Sequence, residues 1–373
     1  MVAAVRILFV SGTTVGGSGR SQRELAARLV EFGHVLEFVV DDASPSRTTR
    51  WLYEQLADLS ARLAGRPGSS IVRRLEKLPG RTATVGELGG LTHLSTPVPE
   101  NAVERALDTF KPDVVVGNSV LRLTWRRVRE MCAVRNITTI LYIREQETLN
   151  HFDHGAVPAE AVVANAKSLA AAIEALGITC AFVPSVIEFE VTKVVSTRRV
   201  ALLINPIESR GVETLWKIAA RLPDVAFVAQ ESWPLEPEQL ASVERHIAAL
   251  PNVEFRRAEP PGPRLYRDTR VLVVPYRIDN RPRVIAEAQA SGIPVVAADV
   301  PALIEAIGAG GVQVGLDDID AWTNELERLW SDEAYYNQLS DAAREHSERP
   351  EIDAAFVARQ FESVAESVAA TRN

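Results

Sequence analysis

Short apolar runs alternate with helix-spaced segments along this chain, and they do so in two separate series. In the first series, Val5–Val10 is rich in β-branched residues and ends at Ser11-Gly12. A glycine-rich turn follows, and then Ser21–Phe32 carries Leu25, Ala26, Leu29 and Val30 at helical spacing, closed by Gly33. Val35–Val40 reads as the next strand. A strand, a helix and a second strand in one sheet require parallel pairing and a right-handed crossover. Lys111–Gly117, Ile137–Ile143 and Ala161–Ala164 continue the pattern as buried strands, the last followed by a helix ending near Gly177.

The run Val183–Lys193 breaks the alternation, and a second series starts at Arg199–Ile204. It predicts helices over Gly211–Arg221 and Glu238–Leu250, and strands at Val225–Ala229, Val253–Phe255, Val271–Val274, Pro294–Ala297 and Gly311–Val314. From Asp317 onward the chain reads as helical, with a break at Ser347–Pro350. The expected fold class is therefore α/β, with two Rossmann-like domains. Expected bounds are 1–185 for the first domain, 186–198 for a linker, 199–345 for the second domain and 346–373 for a helix packing back towards the first.

Residues 43–90 interrupt the first series, with helices expected around Trp51–Leu63 and Ile71–Leu78. Between Ala43 and Arg81 stand eight basic residues and three acidic ones, in a chain whose formal charge is -8. A solvated helical insertion accounts for that, and so does a flap over an anionic acceptor or a membrane surface. The overall charge disfavours a non-specific nucleic-acid binder, which needs a dense basic face. With 373 residues, 46% of them hydrophobic, there is ample material for two cores. Two cysteines, Cys132 and Cys180, exclude a disulfide framework and a multi-cysteine metal site. The apolar start at Met1–Val10 is too short for a leader or a membrane span, so a cytoplasmic location is expected, with a peripheral membrane contact left open.

Open α/β sheets bind ligands where the loops leave the carboxyl ends of their strands, and four such loops carry candidate chemistry. Gly16-Gly17-Ser18-Gly19, after the first strand, lets backbone approach a ligand at a helix start, although its spacing is neither a dinucleotide fingerprint nor a P-loop. Arg210-Gly211, after the first strand of the second series, can neutralise a phosphate. Asp279-Asn280-Arg281-Pro282-Arg283-Val284 leads into a helix bearing Glu287. Asp279 suits a helix start, but that does not explain Glu287 within the mostly small or apolar stretch Val284–Ala290. The fourth loop is Arg144-Glu145-Gln146-Glu147, with His151, Asp153 and His154 beyond it. The two histidines lack a third ligand in any recognisable motif, so no metal site is expected.

Taken together, these segments resemble the retaining glycosyltransferases of family four, which have the GT-B fold of two Rossmann-like domains facing across a cleft. The most specific part is Asp279-x7-Glu287, then Gly292, Pro294 and a strand, in order after the glycine-rich loop. The resemblance implies that Glu287 binds the ribose of a nucleotide-diphosphate sugar and that Asp279 lies near the donor sugar. It implies that the backbone from Arg281 to Val284, including Arg283, holds the distal phosphate. Arg210 would contact the diphosphate, Gly16 and Gly17 would approach phosphate and acceptor, and the base would pack near Phe255-Arg256-Arg257. Arg210, Asp279 and Glu287 are thus the implied catalytic set. The donor is a substrate, so no cofactor is expected.

The chain also departs from the family pattern. Aspartate stands for glutamate at 279, and Asn280 and Arg281 stand where glycine and an aromatic are common. Asn205-Pro206 stands where a second cation usually ends the strand, so that Arg281 or Arg283 would have to compensate, and Arg144-Glu145 takes the place of a histidine. The implied mechanism is electrostatic: Arg210, helix N–H groups and Arg283 meet the charge on the departing diphosphate without a metal. The implied acceptor is a small molecule, a glycan or a lipid-linked hydroxyl; the oligomeric state is left open. A non-catalytic nucleotide-sugar binding protein and a sugar-nucleotide epimerase are the alternatives.

Overall fold

In the computed structural model, the described residues are 4–12, 16–41, 59, 84–88, 91–96, 99–118, 122–146, 149, 159–258 and 262–371. The chain forms two compact units. Unit 1 runs through Asn165 and adds Ala170–Val183 and the chain end from Ala358; unit 2 is Ala166–Leu169 and Pro184–Val357. The two-Rossmann, GT-B-like architecture follows from a mostly parallel sheet in each.

Unit 1 contains β1 (Arg6–Ser11), β2 (Val35–Asp41), β3 (Thr84–Leu88), β4 (Leu91–Thr96), β5 (Val114–Asn118), β6 (Thr138–Ile143), β7 (Ala161–Ala164) and β8 (Cys180–Phe182). Their spatial order is β3-β4-β2-β1-β5-β6-β7-β8. All pairs are parallel except β3 with β4. Strand β1 is central and nearly all apolar because helices cover both faces of such a sheet, and Ile7, Leu8, Phe9 and Val10 have no exposed surface. The order reverses between β1 and β5, which opens a crevice at their carboxyl ends.

Unit 2 contains β9 (Val200–Ile204), β10 (Phe227–Gln230), β11 (Val253–Arg256), β12 (Thr269–Val274), β13 (Val295–Ala298) and β14 (Gly311–Val314). They are ordered β11-β10-β9-β12-β13-β14 and all parallel. Here the reversal falls between β9 and β12. Trp322 on the helix Ile319–Ser331 and Tyr336 on the helix Glu333–Ser347 fill the core beside the strands.

The helix Ala354–Ala370 begins in unit 2 and belongs to unit 1 from Ala358 on. Phe361 is fully buried, with its ring 6.2 Å from Phe9 and 5.8 Å from Tyr142. A buried imidazole fastens the same helix a second time. Val5 N–H donates to His34 Nδ1 (3.1 Å), so the imidazole proton sits on Nε2 and is donated to Glu362 Oε1 (2.9 Å).

The interruption expected as helical over 43–90 ends differently. Thr84–Leu88 is a strand, paired antiparallel with Leu91–Thr96 in register Thr84–Ser95 to Leu88–Leu91. Strands β4 and β8 have no counterpart in the sequence reading either: Leu91–Thr96 mixes polar with apolar residues, and Cys180–Phe182 is only three residues long. The expected helices Trp51–Leu63 and Ile71–Leu78 lie outside the described residues, apart from Leu59.

Candidate active site

The loops leaving β9 and β12 meet at the reversal of the unit 2 sheet, and several contacts lace them together. After β9, a single 3-10 turn covers Glu208–Arg210 and hands over through Gly211 to the helix Val212–Arg221. Gly211 has φ 70°, and a Cβ there would stand 1.9 Å from the Pro275 carbonyl oxygen. Only glycine combines that conformation with that approach. Arg277 N–H donates to the Ser209 carbonyl (3.0 Å), and the buried Tyr276 hydroxyl donates to the Ile204 carbonyl (3.2 Å).

Arg210 sits in this lacing. Its Nη1 donates to Asn280 Oδ1 at 3.2 Å, and its guanidinium lies 4.6 Å from the centre of the Tyr276 ring. Burial raises the Tyr276 phenol's pKa and the Arg210 charge opposes that rise. Arg210 Nε is buried and has no hydrogen-bond partner among the described residues. The other three arginines of these two loops each meet a carboxylate. Arg277 pairs with Asp317 (2.5 Å), Arg281 with Glu305 (3.7 Å) and Arg283 with Glu287 (2.6 Å). No carboxylate among the described residues pairs with Arg210 within 4.0 Å.

Glu287 stands on the helix Arg283–Ala290 with 2% of its surface exposed. Arg283, one turn earlier, donates from Nε to Glu287 Oε1 at 2.6 Å, and Tyr266 O–H donates to Oε2 at 2.8 Å. Burial, the Glu287 charge and this hydrogen bond raise the Tyr266 phenol's pKa well above its ordinary value. The Arg283 side chain, expected to face the diphosphate, is thus turned onto Glu287, because an arginine buried to this depth requires an anion beside it.

Asp279 accepts the Ala302 N–H (2.9 Å) and so caps the helix Pro301–Ile307, whose own N-cap residue, Val300, has no side-chain acceptor. Asp279 and Glu287 therefore serve different partners. Val284 lies half-buried in the first turn of the helix that carries Glu287. Arg257 is well exposed, its guanidinium 3.7 Å from Glu231 and 5.3 Å from the Phe255 ring centre. Beneath it, Gln230 Nε2 donates to the Arg257 carbonyl (2.8 Å), and Glu231 accepts from Leu235 N–H (2.8 Å) and Ala258 N–H (2.9 Å). Asn205, at φ 60°, binds the exits of β9 and β10 by accepting from Ser232 N–H (2.9 Å) and O–H (2.8 Å).

In unit 1 the helix after β1 already starts at Gly16, so the glycines expected in a loop form its first turn, with Gly16 at φ 69°. Beside it lies a buried polar network that sequence reasoning had not assembled. Ser11 O–H donates to Gln22 Oε1 (2.6 Å), and Asn118 Nδ2 donates to Ser18 Oγ (3.3 Å) and Gln22 Oε1 (3.4 Å). Arg144 Nε donates to Asn118 Oδ1 (2.6 Å), while its guanidinium lies 4.1 Å from the Tyr142 ring centre. Ser11 and Asn118, the polar last residues of β1 and β5, and Arg144 just after β6 were the signal for it. Glu145 is half-buried; His151, Asp153 and His154 lie outside the described residues.

Among the described residues, one group has ligand atoms close enough to share a cation: His34, Glu362 and Glu366, all within 4.8 Å of one another. The donor set argues against it. A metal on His34 Nε2 would move the ring proton to Nδ1, which already accepts the Val5 N–H. The thiols of Cys132 and Cys180 are pushed up to about 12 by burial, so neither is a nucleophile at neutral pH. Among the described residues, no helix is long and apolar enough to cross a membrane.

Residues 209–332 match the family model described as Glycosyl transferases group 1. A D-inositol 3-phosphate glycosyltransferase of Gordonia bronchialis is 37% identical over 87 residues, which cover 23% of this chain and 19% of that protein. The D-inositol 3-phosphate glycosyltransferase 1 of Catenulispora acidiphila is 36% identical over 132 residues, covering 33% of this chain and 31% of that protein. The chain thus spans between a fifth and a third of the length of these relatives in the matched part. Among solved structures, sucrose-phosphate synthase of Thermosynechococcus elongatus superposes with TM-score 0.76 at 14% identity, over 98% of this chain and 100% of that one. HepE of Anabaena, in complex with UDP and glucose, gives 0.72 at 13% identity, over 96% and 99%. At such identities these likenesses establish the GT-B fold alone.

Proposed function

We propose that this chain, which belongs with the group 1 glycosyl transferases and has the GT-B fold, is a retaining glycosyltransferase that moves a sugar from a nucleotide-diphosphate sugar to a hydroxyl acceptor. The observation that carries the reading is Arg210, a half-buried guanidinium at the reversal of the unit 2 sheet that no described carboxylate neutralises. A fixed positive charge at that point suits an anion such as a diphosphate, and it becomes more effective as charge develops on the leaving group. The first turn of the helix Arg283–Ala290 adds backbone N–H donors and the positive end of its dipole. These groups supply the charge a leaving diphosphate needs, so the mechanism calls on no metal. Glu287, held by Arg283 and Tyr266, presents a fixed acceptor edge for the ribose. Asp279, bound at the start of the neighbouring helix, lies on the donor-sugar side. The exposed Arg257 and the backbone beside it border the base. In unit 1, Gly16 and Gly17 and the Asn118–Arg144 network stand at the β1–β5 reversal and are the residues proposed to bind the acceptor.

The relatives' name directs the first acceptor assays to phosphorylated cyclitols, followed by glycans and lipid-linked hydroxyls. Turnover is measured over a panel of UDP-, GDP- and ADP-sugars, with the anomeric configuration of the product read by NMR. Retention is expected; an inverted product would overturn the mechanism. Arg210→Ala is expected to lower kcat and raise the donor KM, and Glu287→Ala mainly to raise the donor KM. Wild-type kinetics in both variants would remove the site.

A second reading, a nucleotide-sugar binding protein without turnover, draws on Asn205-Pro206 and Arg144-Glu145, which stand where a second cation and a histidine are usual in the family that the chain resembles. Tight donor binding with no transfer to any acceptor in the panel would favour it. The interior of a cell is the proposed location, since that is where nucleotide sugars are made, and a membrane surface is a proposed site of contact through the basic 43–81 segment.

A further inference from the structure

We propose that Asn280 is a positioning residue, which fixes the plane of the Arg210 guanidinium for the diphosphate; this rests on the donor reading above. Three features support it. Asn280 is buried, at 8% exposure, and its carboxamide oxygen accepts directly from Arg210 Nη1. The Tyr276 ring covers the guanidinium, and Tyr276 is itself anchored to the Ile204 carbonyl at the end of β9. Rotation of the guanidinium is therefore restrained by an edge contact and a face contact, set on the rigid exits of two adjacent strands.

The chemistry of the acceptor matters as much as its place. A carboxylate at position 280 would hold the guanidinium at least as firmly but would cancel its charge, as Asp317, Glu305 and Glu287 do for Arg277, Arg281 and Arg283. A carboxamide orients the cation and leaves its charge for a ligand. The flanking arginines cannot substitute, because each already neighbours a carboxylate. Arg210 thus acts without a second cation from the β9 exit, where Asn205-Pro206 stands. Orienting it beforehand reduces the entropy lost when an anion binds.

The test is a double-mutant cycle read by calorimetric binding of UDP, GDP and ADP to the full chain. Asn280→Ala should weaken the best of these ligands by about tenfold, the usual scale for a hydrogen bond to a charged group. Asn280→Asp should weaken it at least as much despite keeping an acceptor in place. In an Arg210→Gln background both substitutions should be nearly silent, since the group they act through is gone. A purely structural role would lower the thermal midpoint and weaken binding equally in both backgrounds; that result, or tighter binding by Asn280→Asp, would overturn the proposal. Unchanged affinity in Arg210→Gln alone would refute the diphosphate reading itself, and so would a wild-type protein that binds none of the three ligands. Either result is distinct from a failure at Asn280.

Discussion

Gly211 shows how little freedom a single position can have. Its φ of 70°, and the 1.9 Å that would separate an added Cβ from the Pro275 oxygen, penalise any side chain twice. We expect Gly211→Ala to cost about 2–5 kcal/mol, combining left-handed strain with forced displacement, measured as a lower urea midpoint with an unchanged slope. The Arg283–Glu287–Tyr266 group makes a second residue-scale prediction. Glu287→Ala leaves a buried arginine without its carboxylate and should cost about 3–5 kcal/mol. Arg283→Leu combined with Glu287→Gln removes both charges while keeping an acceptor for Tyr266, and should recover most of that loss. If stability returns but nucleotide affinity does not, the carboxylate has a ligand role separable from its structural one; equal recovery of both would deny it.

At the scale of elements, the clasp between His34 and the helix Ala354–Ala370 makes stability depend on acid. Burial raises the Glu362 carboxyl, but the hydrogen bonds from Arg359 and His34 outweigh it and hold the group below its ordinary value of 4.5. A carboxyl depressed on folding contributes stability that is complete above its unfolded pKa and is lost as pH falls through the folded one. Glu362→Gln should therefore flatten the stability profile below pH 4.5 and leave its slope above pH 5 unchanged; a change of slope confined to neutral pH would contradict this. The central strands and their helices were legible in sequence because β1, β5, β6, β9 and β12 are apolar runs buried on both faces. Strands β3 and β8 were not, since they lie at the two edges of the sheet and are short or mixed in pattern, nor was β4, an inner strand whose Leu91–Thr96 mixes polar with apolar residues. The chemistry at the carboxyl ends was legible as residue types after strands, as with Arg210, Asp279 and Glu287. Their partners were not, because Asn280 holding Arg210, Ala302 meeting Asp279 and Tyr266 meeting Glu287 are spacings of 70, 23 and 21 residues that only the folded chain brings together.

At the scale of the whole molecule, unit 2 is nearly continuous in sequence, whereas unit 1 borrows its last segment from the chain end. A chain ending at Val357 lacks Phe361, fully buried between the Phe9 and Tyr142 rings, and lacks Glu362 beside His34. We expect this truncation to lower the unfolding temperature of unit 1 while leaving the core around Trp322 near its wild-type stability. Hydrogen exchange followed peptide by peptide would show protection lost from β1, β2 and β6 and kept in β9 and β12. Uniform loss across both sheets would show that the two units do not unfold separately. The same threading has a consequence during synthesis. As the nascent chain leaves the ribosome, Phe9 emerges well before Phe361, its partner ring, so unit 2, synthesised between them, can mature while the apolar rings of β1 and β2 still need shielding by a chaperone.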